Sequence, residues 1–299
     1  MTTIMAVLIA GPTASGKSQL ALTLAERLGG AVVNADSMQV YRDLRVLTAR
    51  PGVADEARAP HHVYGTLDAA EPASVARWLG DAATAIEAAR HAGRVPIVVG
   101  GTGLYLAALT EGLSPMPRIP DAVRRHWRQA QAHEPPQVLH AILAERDPAA
   151  AARLRPTDPQ RIVRALEVVE ATGRSLSAWQ AERTPPVLPR GPGVAAYVLA
   201  PPRDLLRERI AQRFEAMMEA GAVEEAVGLT ARRLDPALPA MKAIGVAQLS
   251  AYAMGLVGRG EAVADAVTRT RQYAKRQDTW FRNRFADWER LAPGDVPTF

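Results

Sequence analysis

"GPTASGKS", residues 11–18, decides the fold. It fits G-x-x-x-x-G-K-[ST], a loop whose backbone N–H groups wrap phosphate oxygens. The run before it, "IMAVLIA" at 4–10, is apolar throughout and reads as a buried strand. After it, Leu20, Leu24 and Leu28 repeat every fourth residue until Gly29-Gly30 stops the helix. Gly11 and Gly16 let the backbone curl so that successive N–H groups face an anion at the helix N-terminus. Lys17 adds a point charge, and the Ser18 hydroxyl is a candidate Mg²⁺ ligand. Gly11, Pro12, Thr13, Ala14, Ser15, Gly16, Lys17 and Ser18 are thus the expected polyphosphate cradle. Such a loop tells what is held; its neighbours must tell what is done with it.

Working outward, "AVVNADS" (31–37), "VPIVVGG" (95–101) and "GVAAYVLA" (193–200) are further strand candidates. Val75, Leu79, Ala82, Ile86 and Ala89 line one helical face that ends at Gly93. Strand and helix alternating at this spacing predict an α/β fold with a doubly wound parallel sheet. Two proline-rich stretches, "LSPMPRIP" at 113–120 and "TPPVLPRGP" at 184–192, read as hinges. Between them the patterns are helical only, notably Ile162, Val163, Leu166 and Val169 ahead of Gly173. The expected organisation is a P-loop core from 1–120 and 184–299 with a helical insertion domain at 121–183. The C-terminal part reads as helical, ending in a long pattern through Val263, Val267, Thr270, Ala274, Phe281 and Trp288.

The 299 residues are 48% hydrophobic and 22% charged, the balance of a soluble globular protein with a real core. No apolar run approaches the roughly 18 residues of a membrane span. "MTTIMAVLIAGP" has no basic leader and runs straight into the phosphate loop, so it reads as a first strand. The absence of cysteine excludes disulfides and thiolate metal sites, and a cytoplasmic location is expected. The net charge of +5 favours a polyanionic partner. Arg269, Arg271, Lys275, Arg276, Arg282 and Arg284 lie in one segment with Asp278 as its single acid.

Three further motifs bear on chemistry. In "NADSMQVY" (34–41), Asp36 sits at the carboxyl end of the second strand, where open α/β sheets place ligands. A carboxylate there can accept a proton or bind a metal, or it can simply cap a turn. "GGTGLYL" (100–106) stands where an NTPase of the Walker pattern carries a metal-binding Asp, which weakens a hydrolase reading. Its small residues allow close backbone approach and Thr102 offers a hydrogen bond; a tight turn without a ligand is the other reading. In "RTRQYAKRQDTWFRNRF" (269–285), cations interleave with Tyr273, Trp280, Phe281 and Phe285. That suits phosphate contacts with base stacking, or else a solvated cationic face over a core of aromatics. His61-His62 has no ligand partners at metal spacing, and Met217-Met218 reads as core.

Together the motifs resemble the tRNA dimethylallyltransferases, the bacterial tRNA isopentenyltransferase family. The resemblance runs from "GPTASGKS" through "NADSMQVYRDL", "PHH", "GGTGLYL", "DPQRIVRALEV", "RIAQRFEAMMEAG" and "KAIG" to "QYAKRQDTWFRN", in the family's order and spacing. It implies that the loop and Mg²⁺ hold dimethylallyl diphosphate and that the prenyl group passes to N6 of an adenosine beside the anticodon of tRNA. It gives Asp36 the role of general base or orienter, Thr102 a part in positioning, and Arg213 a contact to diphosphate. Contacts to the anticodon stem-loop are implied at Asp36, Ser37, Met38, Gln39, Thr102 and Arg124. Others are implied at Gln160, Arg161, Ile162, Val163 and Arg164, and at Lys242, Ala243, Ile244, Gly245, Val246 and Ala247. The last group is Lys275, Arg276, Gln277, Asp278, Thr279, Trp280, Phe281 and Arg282, and a monomer is expected. One departure stands out: the family usually continues "IG" with an aromatic and a basic residue, whereas Val246 and Ala247 here cannot make those contacts.

Other classes compete. A small-molecule kinase would share the P-loop and the strand-end Asp, but it has no need of a cationic aromatic helix. A non-catalytic RNA-binding module would bind tRNA and release no product. An enzyme prenylating free adenine nucleotides would not need an insertion and basic helix sized for RNA.

Overall fold

The computed structural model describes residues 4–299, and in it the apolar runs pair as parallel strands. These are β1 (Ala6–Ala10), β2 (Ala31–Asn34), β3 (His61–His62), β4 (Pro96–Gly100), β5 (Val194–Leu199) and β6 (Glu289–Leu291). They form one sheet in the order β3-β2-β4-β1-β5-β6, parallel at every pairing. Every residue of β1, β2 and β4 is buried, which explains why these runs carry no polar alternation. His61-His62 pairs with Val32 and Val33 as a short strand, and no metal-binding cluster occurs among the described residues.

The chain divides into two compact units, one built from the chain through Thr110 together with Val187–Phe299, the other from Glu111–Pro186. In the first, the helices before the division are α1 (Lys17–Leu28), α2 (Val53–Arg58), α3 (Val75–His91) and α4 (Gly103–Glu111). Side chains alternate across the sheet as the strand period requires. Val7, Ile9, Val32, Ile97 and Val99 pack with Leu20 and Leu24 of α1. Leu8, Ala10, Val33 and Val98 face the opposite core with Trp78 and Ile86 of α3. α1 begins after Gly16 (φ 96°) and ends at Gly29 (φ 61°), both in the region that favours glycine.

The second unit contains α5 (Asp121–His133), α6 (Pro136–Arg146), α7 (Pro148–Arg153), α8 (Pro159–Thr172) and α9 (Leu176–Ala181). Prolines open α6, α7 and α8, and Asp147, Asp158 and Ser175 cap their helices through side-chain oxygens. Trp127, Leu139, Leu143, Ile162 and Leu166 form its own core.

After the division the first unit adds α10 (Arg203–Glu219), α11 (Ala222–Ala231), α12 (Val246–Ala253) and α13 (Arg259–Arg284), which share the core of α3. The C-terminal helix is shorter than its sequence pattern suggests. It stops at Arg284, and Trp288 lies beyond it, stacked on Phe285 with ring centroids 3.9 Å apart. The spacing of these two aromatics imitates a helix because both turn into the core. The Arg290 guanidinium then donates to the carbonyls of Phe281 and Phe285, closing the helix end, and β6 joins the sheet beside β5. Among the described residues no helix is long and apolar enough to cross a membrane.

The strand order has one consequence for the site. Because β4 lies between β2 and β1, the loops leaving all three emerge side by side at the carboxyl edge of the sheet. The β2 exit is held by Trp78, whose indole N–H donates to the Asn34 carbonyl at 2.7 Å while its ring stacks on Tyr105. Trp78→Phe keeps the stack and orphans that carbonyl, so it should cost about 1–2 kcal/mol. Trp78→Ala should cost about 3–5 kcal/mol. Urea unfolding of the two variants against the parent checks both values.

Candidate active site

The phosphate loop folds by its own hydrogen bonds. Ser15 N–H donates to the Pro12 carbonyl, Ala14 adopts φ 63°, and the Lys17 ammonium lies against the Pro12 carbonyl at 3.3 Å. The Ser15 hydroxyl is buried without a hydrogen-bond partner, 2.7 Å from the point where a Gly11 Cβ would stand.

Asp36 follows β2, and its backbone is fixed by Asn34. The Asn34 side-chain oxygen accepts from Asp36 N–H at 2.8 Å, and its amide donates to the Asp36 and Val63 carbonyls. One Asp36 carboxylate oxygen accepts from Met38 N–H at 3.0 Å, so the capping role is real. The other lies 3.3 Å from the point where a Gly101 Cβ would stand, on the side of the β4 exit. Thr102 ties that exit to the Asp36 loop: its hydroxyl accepts from Ser37 N–H at 2.9 Å, and its own N–H donates to the Ala35 carbonyl.

Cations approach from α10. The Arg213 guanidinium donates to the Thr13 hydroxyl, and Arg209, one turn earlier, donates to the Ser15 carbonyl at 3.5 Å. Burial pushes the Lys17 ammonium down to about 8, with Asp36 opposing and Arg213 reinforcing the shift. Burial also lowers the Arg213 guanidinium, again opposed by Asp36. Asp36 is therefore the carboxylate that both cations feel. The phenol of Tyr273, bonded to Thr102 and Gln277, is raised by burial and then by Asp36.

The glycines of "GGTG" have specific neighbours. A Cβ at Gly100 would overlap the Ala35 backbone, one at Gly101 the Gln277 amide, and one at Gly103 the Trp280 ring. They admit parts of the protein itself.

The structure brings together residues 11–18, Asp36, Thr102, Arg213 and the inner face of α13, all within the first unit. Helical periodicity divides the α13 stretch. Lys275, Arg276, Thr279 and Arg282 are exposed, while Gln277 and Phe281 are buried at 5% and 1%. An open cavity of about 470 Å³ is lined by Gln272, Lys275, Arg276, Thr279, Trp280 and Asn283. Arg282 is paired with Asp278 at 2.9 Å.

Elsewhere, Lys242 and Ala247 are exposed whereas Ala243 and Val246 are core residues, and Gly245 packs against Leu47. The Gln39 amide donates to the Thr48 and Ala49 carbonyls. In the second unit, Gln160 and Arg161 are exposed and Arg124 and Arg164 half-buried, while Ile162 and Val163 belong to that unit's core.

Arg209 and Asn34 escape the sequence reading. The i, i+4 spacing of Arg209 and Arg213 was a usable signal; nothing in "AVVNADS" marks Asn34 as the residue that sets the turn.

The oxygens that could hold a divalent cation are the exposed Ser18 hydroxyl in the first turn of α1 and the Asp36 carboxylate. Hard oxygen donors this few fit Mg²⁺, which keeps several waters and takes its remaining ligands from phosphate oxygens.

The family model described as IPP transferase matches residues 39–284. A second, Isopentenyl transferase, matches residues 4–66. The chain belongs to the tRNA dimethylallyltransferase family. It is 55% identical to the tRNA dimethylallyltransferase of Azorhizobium caulinodans, over 97% of this chain and 92% of that protein. It is 56% identical to that of Rhodopseudomonas palustris strain BisB18, over 96% and 91%. Among solved structures, the tRNA isopentenylpyrophosphate transferase of Bacillus halodurans superposes with a TM-score of 0.68 at 34% identity, covering 99% of this chain and 92% of that one. A eukaryotic dimethylallyltransferase captured acting on tRNA gives a TM-score of 0.81 at 29% identity, over 98% and 75%.

The lowered Lys17 ammonium sets a pH dependence. Its charge is present below about 8 and lost as pH rises through that value. A bound anion favours the charged form, so diphosphate affinity should fall above pH 8, approaching about tenfold per pH unit. Lys17→Arg keeps its charge throughout, and the ratio of parent to variant affinity by calorimetry between pH 7 and 10 should isolate the inflection.

Proposed function

We propose that this protein transfers a dimethylallyl group from dimethylallyl diphosphate to N6 of the adenosine 3′-adjacent to the anticodon in tRNA, releasing diphosphate. The observation that carries the reading is the convergence of a phosphate cradle, the Asp36 carboxylate and the Thr102 hydroxyl at neighbouring strand ends, with α13 presenting cations outward from the same cleft. The cytoplasm, where tRNA is available, is the expected setting.

In this reading the diphosphate sits on the loop N–H groups, with Lys17 and Arg213 as its side-chain cations and Ser18 toward Mg²⁺. The ion, when bound, helps neutralise charge developing on the leaving group. The adenine N6 attacks the allylic carbon, a carbon–nitrogen bond forms, and the carbon–oxygen bond to diphosphate breaks. Asp36 takes the proton released from N6. Because an exocyclic amine is a weak nucleophile, alignment supplies much of the rate, and the Ser37–Thr102 tie keeps that alignment. The base must leave the anticodon stack to enter, at a cost of a few kcal/mol.

Nucleoside mass spectrometry of tRNA incubated with protein, Mg²⁺ and dimethylallyl diphosphate tests the reaction. Fast Mg²⁺-dependent ATP turnover without prenylated tRNA would replace this reading with a kinase or NTPase. Asp36→Asn retains shape and the Met38 cap but cannot take a proton as a carboxylate does. Its single-turnover rate constant should fall by about 10²–10⁴ with donor and tRNA saturating. A variant within about threefold of the parent would leave Asp36 as a cap only. Lys275→Glu with Arg282→Glu should weaken tRNA binding by roughly tenfold or more and flatten its salt dependence, while diphosphate affinity holds.

A further inference from the structure

We propose that Gln277 is a positioning residue for the reaction centre, aligning the phosphate loop and the Thr102 turn from the inner face of α13, and that it makes no contact with tRNA. The inference rests on the prenyl-transfer reading above for what is being aligned.

Gln277 lies among cations that face outward, yet it is only 5% exposed. Its side-chain oxygen accepts from Thr13 N–H at 2.8 Å, and its amide nitrogen donates to the Gly101 carbonyl at 2.8 Å. Thr13 belongs to the diphosphate cradle; Gly101 immediately precedes Thr102. One side chain thus spans the two loops whose spacing sets the distance between the leaving group and the hydroxyl that orients Asp36's loop. Thr13 is gripped twice, since its hydroxyl takes the Arg213 guanidinium. Gly101 has no room for a Cβ because the Gln277 amide occupies that space. Among side chains of this shape, only a neutral group carrying both a donor and an acceptor satisfies this pair of partners, which is a primary amide or a protonated carboxyl.

That chemistry supplies the test. Gln277→Glu is isosteric: ionised, it cannot donate to the Gly101 carbonyl; protonated, it can. Gln277→Met keeps the length and removes the hydrogen bonds to Thr13, Gly101 and the Tyr273 phenol without adding charge. The titratable or charged groups facing the position are Asp36 from the β2 loop, Lys17 from the phosphate loop, Arg213 from α10 and Tyr273 from α13, so each value is taken as a ratio to the parent at the same pH. Three quantities are measured at pH 8 and pH 6: inorganic diphosphate affinity by calorimetry, tRNA affinity by filter binding, and the single-turnover prenylation rate constant.

For Gln277→Met, diphosphate affinity and the rate constant should fall about tenfold or more at both pH values, with tRNA affinity within about threefold. For Gln277→Glu the same losses should appear at pH 8 and shrink severalfold at pH 6, a recovery that a general packing defect would not produce. If Gln277→Met does not fold by circular dichroism, the pH 8 to pH 6 recovery of Gln277→Glu decides alone. Loss of tRNA affinity with diphosphate affinity and rate intact would overturn the proposal and make Gln277 a tRNA contact. Diphosphate affinity and rate within about threefold of the parent in Gln277→Met would overturn it equally. If the parent prenylates no tRNA, the proposed reaction fails while the diphosphate measurement still judges Gln277.

Discussion

The site depends on the bareness of the β4 exit. Gly100, Gly101 and Gly103 leave no side chain where the Ala35 backbone, the Gln277 amide and the Trp280 ring approach. Backbone packed this closely would carry orphaned polar groups unless they were answered, and three hydrogen bonds answer them here. Thr102 N–H reaches the Ala35 carbonyl, the Gly101 carbonyl takes the Gln277 amide, and Ala35 N–H reaches the Val99 carbonyl. Close approach with these hydrogen bonds, together with the Thr13 N–H donated to Gln277, ties the loops that leave three neighbouring strands to one another. Phosphate loop, carboxylate and hydroxyl are then held by elements rather than by flexible connections, which is what alignment of a weak nucleophile requires.

The electrostatics follow from that packing. Lys17 and Arg213 are partly removed from water, and Asp36 is the acid that balances them. Burial lowers both cations, a sign that desolvation outweighs the attraction of the carboxylate. A polyanion reverses this balance by stabilising the charged forms. In the proposed reaction the same field sets two cations toward the diphosphate and leaves the Asp36 carboxylate for the amine proton. Separation of these roles depends on the Asp36 turn, and hence on Asn34 and Trp78, which touch no substrate atoms in the proposed reaction.

Much of this was legible in the sequence because the strongest signals are local. The phosphate loop is a contiguous motif, and the buried parallel strands announce themselves as uninterrupted apolar runs. β6 was not legible: three residues with one buried side chain carry no period, and pairing with β5 is decided by the chain returning from α13. Trp288 was drawn into the helix by its spacing from Phe285, although stacking rather than helix continuation places it there. In the cleft, Asp36 and Thr102 were singled out by their positions at strand ends, and they do follow β2 and β4. The partners that orient them lie far away in sequence, as Gln277 does from Gly101, and only the fold reveals such pairs.

The α13 stretch illustrates why a motif can be recognised and still be misapportioned. In sequence it reads as one mixture of cations, amides and aromatics. On a helix of 3.6 residues per turn it separates into two surfaces. Ala274, Gln277 and Phe281 turn inward, while Lys275, Thr279 and Arg282 turn outward. A contiguous assignment of the whole stretch to tRNA therefore joins residues facing opposite ways. The outward face can answer to a polyanion through long, hydrated cations. The inward face can tolerate almost no change, because a buried amide with two backbone partners has few substitutes. One helix thus carries two constraints of different physical origin, and it connects them: in the proposed reading, a polyanion drawn to the outer face bears on the element that ties the phosphate loop to the Thr102 turn.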